Sequence, residues 1–196
     1  MSHYFDREVA VASSEETFDY HFGNEKFTFK TDRGVFSKGT VDHASYLLIK
    51  QVLKSDIGKD ILDYGCGWGP VGIILKRLHP ELAIDLVDVN ERAVHLAQKN
   101  ALLNHTAVDI YQSEDIRALN KAYDDIILNP PIRAGKVVIY DMYEKAHDVL
   151  NDHGHLYIVI KVKHGAKSHF ARLKELFEDV VLLERVEGNW LIKATK

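Results

Sequence analysis

Ile61-Leu62-Asp63-Tyr64-Gly65-Cys66-Gly67-Trp68-Gly69-Pro70 is the stretch on which the reading of this chain turns. An apolar strand pattern breaks into a loop with a glycine at every second position, and a proline opens the next element. Glycine has no Cβ, so such a loop can pass through left-handed conformations and let a ligand approach the backbone closely. Proline suits the first turn of a helix, where its missing N–H would have no partner in any case. The stretch reads as strand, ligand loop and helix in immediate succession.

The same alternation continues downstream. Strand 60–64 and helix 70–78 are followed by strand 83–88, helix 91–103, strand 108–111, a polar stretch, and strand 125–128. Beyond Asn129-Pro130-Pro131 the pattern predicts helix 137–150, a turn at Asn151-Asp152-His153-Gly154, strand 156–162 and helix 166–177. Strands 180–184 and 190–193 close the chain around Val186-Glu187-Gly188-Asn189, a connection short enough for a hairpin, so the last strand should run antiparallel. Upstream, Phe27 and Phe29 alternate with Lys26, Thr28 and Lys30, and Thr31-Asp32-Arg33-Gly34 reads as a turn into Val35-Phe36. Asp42 is placed to cap a helix reaching about Lys54. Strands apolar on both faces and separated by helices predict an α/β fold: a Rossmann-like, doubly wound, seven-stranded sheet, mostly parallel, with an antiparallel C-terminal strand. No repeat or linker interrupts the pattern. Residues 1–196 are expected to form one domain, with 1–38 as an N-terminal β-hairpin extension.

Composition narrows the functional classes. With 196 residues, 46% of them hydrophobic and 28% charged, the chain has the balance of a soluble globular protein. A formal charge of −4 argues against nucleic-acid binding over the whole surface, while leaving room for a local basic face. Cys66 is the only cysteine, which excludes an internal disulfide framework and suits a reducing compartment. Met1-Ser2-His3-Tyr4-Phe5-Asp6 lacks the regions of a secretory signal, and no apolar run reaches the roughly 18 residues of a membrane span. The expected setting is the cytoplasm, with no membrane and no metal. His153 and His155 flank Gly154 and read as the entry to a strand, not as a metal pair.

Gly67-Trp68-Gly69-Pro70-Val71-Gly72 matches the dinucleotide pattern G-x-G-x-x-G literally. In that pattern, however, the first glycine follows the strand directly and the helix N-terminus faces a diphosphate. Here Gly65 is the first glycine after the strand, and Pro70 removes one amide donor from the first helical turn. The form Asp63-x-Gly65-x-Gly67-x-Gly69 instead suits the amino-acid moiety of S-adenosylmethionine, with the carboxylate near an ammonium group. Asp88 ends the second strand, where a carboxylate can accept both hydroxyls of a ribose. Glu114 or Asp115, after the third strand, can accept from an adenine amino group, with Ile116 against the ring.

Asn129-Pro130-Pro131 lies at the carboxyl end of a central strand, the edge at which open α/β sheets bind ligands. Prolines fix the backbone, so the Asn129 amide and the Pro130 carbonyl can be aimed at one point without later reorganisation. Two acceptors on the hydrogens of an exocyclic amine direct its lone pair toward a methyl donor. Arg133, Lys136, Lys163 and Lys167 are candidates to hold phosphates, within a wider basic run that includes Lys161, His164, Arg172 and Lys174.

Asp63-Tyr64-Gly65-Cys66-Gly67-Trp68-Gly69 together with Asn129-Pro130-Pro131-Ile132-Arg133-Ala134-Gly135-Lys136 resembles the small-domain methyltransferases, among them the bacterial enzymes that methylate guanine N2 in 16S ribosomal RNA. Asp32-Arg33-Gly34-Val35-Phe36-Ser37-Lys38 resembles the entry segment of the same family. The resemblance covers roughly residues 25–196. It implies S-adenosylmethionine as cofactor, held by Asp63, Gly65, Cys66, Gly67, Trp68, Gly69, Asp88, Val89, Asn90, Glu114, Asp115, Ile116 and Asn129. It further implies catalysis at Asn129, Pro130 and Pro131, substrate contacts from Ile132, Arg133, Lys136, Lys163 and Lys167, and ribosomal RNA or the small ribosomal subunit as partner. Two departures stand out: the duplicated N-terminal half of the two-lobed ribosomal enzymes is not found here, and Ile132 stands where an aromatic residue is often found. A protein glutamine amide or adenine N6 as substrate, and a catalytically silent RNA-binding module, are the alternatives.

Overall fold

A computed structural model describes residues 12–35, 37 and 39–196. Phe36 and Lys38 of the entry segment, and the segment 1–11, lie outside the described residues.

Strands β1 (Glu16–Phe22) and β2 (Glu25–Thr31) form an antiparallel hairpin. Its reversal is at Gly23-Asn24. Gly23 takes φ +59°, which a two-residue hairpin connection needs at its first position. The turn read at Thr31-Asp32-Arg33-Gly34 forms beyond β2, with Gly34 at φ +88° and Val35 N–H on the Asp32 carbonyl at 3.5 Å. The buried Asp32 carboxylate accepts the N–H groups of Ser14 and Arg33 and the hydroxyl of Ser13.

The remaining elements are α1 (His43–Val52), β3 (Asp60–Tyr64), α2 (Pro70–Leu78), β4 (Ala83–Asp88), α3 (Glu91–Leu103), β5 (Asp109–Gln112), β6 (Tyr123–Leu128), α4 (Lys136–Val149), β7 (Leu150–Lys161), α5 (Ala166–Leu176), β8 (Asp179–Val186) and β9 (Asn189–Thr195). The last seven strands make one sheet in the order β5-β4-β3-β6-β7-β9-β8. All are parallel except β9, which runs antiparallel to both β7 and β8. The predicted architecture is therefore the observed one. Strand order reverses between β3 and β6, and a crevice opens there at their carboxyl ends.

Helices cover both faces, each over its own core. Leu48, Ile49, Ile73, Ile74 and Leu96 of α1, α2 and α3 pack on one face with Phe27 and Phe29 of the hairpin. Ile139, Tyr143, Ala146 and Leu173 of α4 and α5 pack on the other. Asp42 caps α1 as its position predicts, accepting the N–H groups of Ala44 and Ser45, and Asn90 caps α3 through Ala93 N–H.

β7 corrects the expected turn at 151–154. The chain passes from α4 into β7 directly, and residues 151–154 belong to an irregular first half of the strand with His153 at φ +64°. The slip shows in the pairing, which jumps from Tyr123 with Leu150 to Asp125 with His155. The His153 N–H donates to the Lys196 carbonyl, so the extended tail gives this segment partners that a turn would lack.

The hairpin is attached by two buried asparagines one turn apart, Asn100 on α3 and Asn104 at its C-cap. Asn100 accepts from Lys30 N–H at 2.7 Å and donates to the Lys30 and Trp68 carbonyls at 2.9 and 2.8 Å. Asn104 accepts from Thr28 N–H and donates to the Thr28 and Asn100 carbonyls. The two side chains thus stand in for a neighbouring strand along the free edge of β2, and Asn100 ties that edge to the glycine loop. Asn100→Ala leaves three buried backbone groups without this partner. It is expected to lower unfolding free energy by about 2–3 kcal/mol in a urea titration, and a loss below about 1 kcal/mol would contradict the assignment.

Candidate active site

The carboxyl ends of β3, β4 and β6 open on a cleft of about 910 Å³. The glycine loop and Asp63 form one wall. Asp88 ends β4 and Val89 follows it, Glu114 follows β5, and Asn129 to Arg133 follow β6, all lining the same space.

Gly65, Gly67 and Gly69 take φ values of +73°, +57° and +87°, the left-handed conformations that the spacing implied. Gly69 also admits the helices behind it: a Cβ there would lie 2.9 Å from Ile73 Cδ1 and 3.2 Å from Ala97 Cβ. The loop amides are turned inward. Gly65 and Cys66 N–H donate to the Val87 carbonyl at 2.8 and 3.0 Å, and Gly69 N–H donates to the Cys66 carbonyl at 3.0 Å. Gly67 N–H donates to Asp88 Oδ2 and Gly72 N–H to Asp63 Oδ2, both at 2.8 Å. Pro70 has no N–H to give. Of the first three residues of α2, Pro70 has no N–H and Gly72 N–H is held by a carboxylate of the protein itself, so fewer donors are left here than a diphosphate uses at a helix N-terminus. The literal G-x-G-x-x-G match is therefore a poor diphosphate cradle.

The same hydrogen bonds place two buried carboxylates on the wall of the cleft. Burial pushes the Asp63 carboxyl up to about 7, against the opposing pull of the Gly72 N–H and helped by the charge of Asp88. Asp88 is also raised by burial, although the N–H groups of Asn90 and Gly67 favour its charged form. Such a wall favours a ligand that carries positive charge and hydroxyl donors, and repels a diphosphate. Burial likewise holds the Cys66 thiol well above its ordinary range, so Cys66 packs within the loop and is no nucleophile.

Asn129 directly follows the central strand β6 and lines the cleft with the loop, and Pro130, Pro131, Ile132 and Arg133 continue the lining. Several predicted residues stand elsewhere. Asn90 is buried under its capping role and does not line the cleft. Ile116 is fully buried in the core beneath α4. Asp115 is held by Arg117, whose guanidinium brings its carboxyl down to about 2, so Glu114 is the acid that reaches the cleft. Trp68 lines the cleft with its body buried against Phe18 and Phe29. Lys136, Lys163 and Lys167 sit on the exposed rim outside the lining, Lys136 bonded to Ser168 Oγ at 2.9 Å. Lys161 and His164 take the inner positions. Arg172 pairs with Glu144 and Glu175, and Lys174 lies over the Phe170 ring. These two face helical partners.

Sequence reading missed the contributions of α1 and α4. Asp42 and Ser45 reach the cleft from the start of α1, and Asp141, Met142 and Lys145 reach it from α4. Asp42 carried only a capping signal, and the α4 residues carried only helical periodicity.

A doubly wound sheet with this order, an inward-bonded glycine loop and an Asn-Pro-Pro turn across one cleft defines a Rossmann-like methyltransferase fold. The chain belongs to the methyltransferase small domain family, whose model matches residues 26–193. An uncharacterized protein of Bacillus subtilis, YbxB, is 42% identical over 99% of this chain and 98% of its own length. Ribosomal RNA small subunit methyltransferase C of Photobacterium profundum is 36% identical over 68% of this chain, which spans 40% of that protein. The T. thermophilus 16S rRNA N2 G1207 methyltransferase (RsmC), solved in complex with AdoMet and guanosine, superposes with a TM-score of 0.82 at 25% identity, covering 93% of this chain and 50% of that one. The chain thus spans half or less of the length of these two ribosomal RNA methyltransferases.

Proposed function

We propose that this protein is an S-adenosylmethionine-dependent methyltransferase acting on an exocyclic amine, guanine N2 of 16S ribosomal RNA. The observation that carries the reading is that Asn129 and Pro130 line the same cleft as Asp63 and the glycine loop residues Gly65 to Trp68. Likeness to the T. thermophilus guanine-N2 enzyme supports the choice of base.

Bound S-adenosylmethionine supplies an electrophilic methyl group on a sulfonium. Asp63 faces the ammonium group of the donor, Asp88 accepts from its ribose hydroxyls, and Glu114 from its adenine amine. The Asn129 carboxamide oxygen and the Pro130 carbonyl accept the two hydrogens of the target amine, turning its lone pair toward the donor. Placement is the chief contribution of these residues. No side chain is needed as a strong base, because the alkylated nitrogen is acidic and yields its proton to water. A base inside a duplex cannot reach Asn129, so the target must be unpaired or flipped. Arg133 and Lys161 inside the mouth, with Lys136, Lys163 and Lys167 on the rim, hold the flanking phosphates.

Incubation with labelled cofactor and small ribosomal subunits, naked ribosomal RNA, DNA or release-factor protein tests the substrate. Label on guanine of the RNA is the expected result, whereas label entering only protein or DNA overturns it in favour of a glutamine amide or adenine N6. Asp88→Ala is expected to weaken cofactor binding by about 2–3 kcal/mol in a calorimetric titration, as for a charged acceptor, and unchanged affinity would remove Asp88 from the site.

A further inference from the structure

The Asn129 side chain is held in place by the protein itself. Its Nδ2 donates to Ser45 Oγ at 2.9 Å and to Asp42 Oδ2 at 3.2 Å, across 84 and 87 residues of chain. A carboxamide nitrogen has two hydrogens, so both are taken. A carboxylate oxygen only accepts, which fixes the nitrogen, not the oxygen, at that end. Asp42 is itself immobilised as the cap of α1, where Oδ2 also accepts from Ala44 N–H at 3.1 Å and Ser45 N–H at 3.2 Å. Ser45 is buried.

We propose that Asp42 and Ser45 are positioning residues that make Asn129 an obligate acceptor toward the substrate. With Nδ2 engaged, the polar atom left for a ligand is Oδ1. Such a site takes a nitrogen that carries hydrogens, as in an exocyclic base amine or a primary carboxamide. It repels a carbonyl oxygen or an unprotonated ring nitrogen offered at the same place. The bond to a carboxylate also polarises the carboxamide and leaves more negative charge on Oδ1, where an amine becomes positive during transfer. This inference rests on the methyl-transfer reading and assigns that site its selectivity.

A charge exchange tests it. Asn129→Asp sets two carboxylates face to face and is expected to lower kcat about 100-fold or more. Adding Asp42→Asn to that variant restores a donor–acceptor pair with its direction reversed, and leaves α1 capped because asparagine caps as well as aspartate. It is expected to recover kcat about tenfold, with KM and cofactor Kd changed less than about threefold. A purely structural Asp42 gives no such recovery, so its absence in variants of unchanged melting temperature overturns the proposal. A second measurement needs no turnover. The Asn129 side-chain NH₂ signals in an NMR spectrum, identified by their loss in Asn129→Asp, are expected to exchange with solvent about tenfold more slowly in the parent than in Ser45→Ala. Equal exchange rates overturn the fixed orientation. Should the parent transfer label to no acceptor, the methyl-transfer reading fails while this measurement still decides the network.

Discussion

In an Asn129→Ala variant, turnover on the proposed RNA substrate is expected to fall roughly 10²–10³-fold, the range found when one preorganised polar group is removed from a transition state. Cofactor affinity should stay within about twofold, because in the proposed site the donor is assigned to Asp63, Asp88 and the glycine loop and not to the Asn129 side chain. Alanine removes the carboxamide oxygen that orients the amine, yet leaves the Pro130-Pro131 backbone and the end of β6 intact. The structural consequence is small: Asp42 and Ser45 regain water or each other, and Asp42 still caps α1. Single-turnover rates with a parallel calorimetric titration check both halves. Loss of cofactor binding together with turnover would place Asn129 in the donor site alone.

Asp63→Asn should act in the reverse direction on stability. The Asp63 carboxyl sits near 7 in the folded protein against an ordinary 3.8, because burial disfavours its charge. A group raised in this way lets folding take up a proton, so its contribution to stability is fully present below about pH 4 and is lost as pH rises through 7. Above that, the buried charge costs up to about 4 kcal/mol, an upper limit for a difference of this size. Asparagine keeps an acceptor for Gly72 N–H and carries no charge. The variant is therefore expected to match the parent near pH 4.5 and to exceed it by about 2 kcal/mol or more at pH 8, read as urea unfolding at the two pH values. A variant no more stable than the parent at pH 8 would show that the buried carboxylate carries no such cost. Cofactor binding should show the functional side of the same charge. A cation beside Asp63 stabilises the carboxylate, so binding releases a proton below pH 7, and affinity is expected to be about tenfold weaker at pH 6 than at pH 8. In the Asn variant affinity is low and the pH dependence between 6 and 8 is lost.

These two residues also mark how far the sequence could be read. Asp63 and Asn129 were legible because each belongs to a local pattern: a strand that breaks into alternating glycines, and a strand that breaks into two prolines. Backbone conformation is a local property, so glycine and proline announce it within a few residues. What the glycine amides bond to was not legible. Gly67 N–H reaches Asp88, and Gly65 N–H reaches Val87, only because β4 lies beside β3, and this pairing adds to the weight of Pro70 against a diphosphate. The turn at Thr31-Asp32-Arg33-Gly34 is legible for the same local reason and forms, with Gly34 at φ +88°; that the hairpin itself reverses at Gly23-Asn24 emerges only from the pairing of β1 with β2.

By itself the sequence determined the α/β alternation, the antiparallel last strand, the glycine loop and the Asn-Pro-Pro turn. Periodicity and the conformational limits of glycine and proline act over short stretches of chain. Only the tertiary structure decided that Glu114 and not Asp115 faces the cleft, that Asn100 and Asn104 replace a strand beside β2, and that Asp42 and Ser45 grip Asn129. Each depends on hydrogen bonds between residues brought together by the order of the strands, and no spacing along the chain encodes them. Ile61–Pro70 carries the conformational signature of a loop; β4 beside it takes up the loop amides, and the start of α1 orients Asn129 in the same cleft.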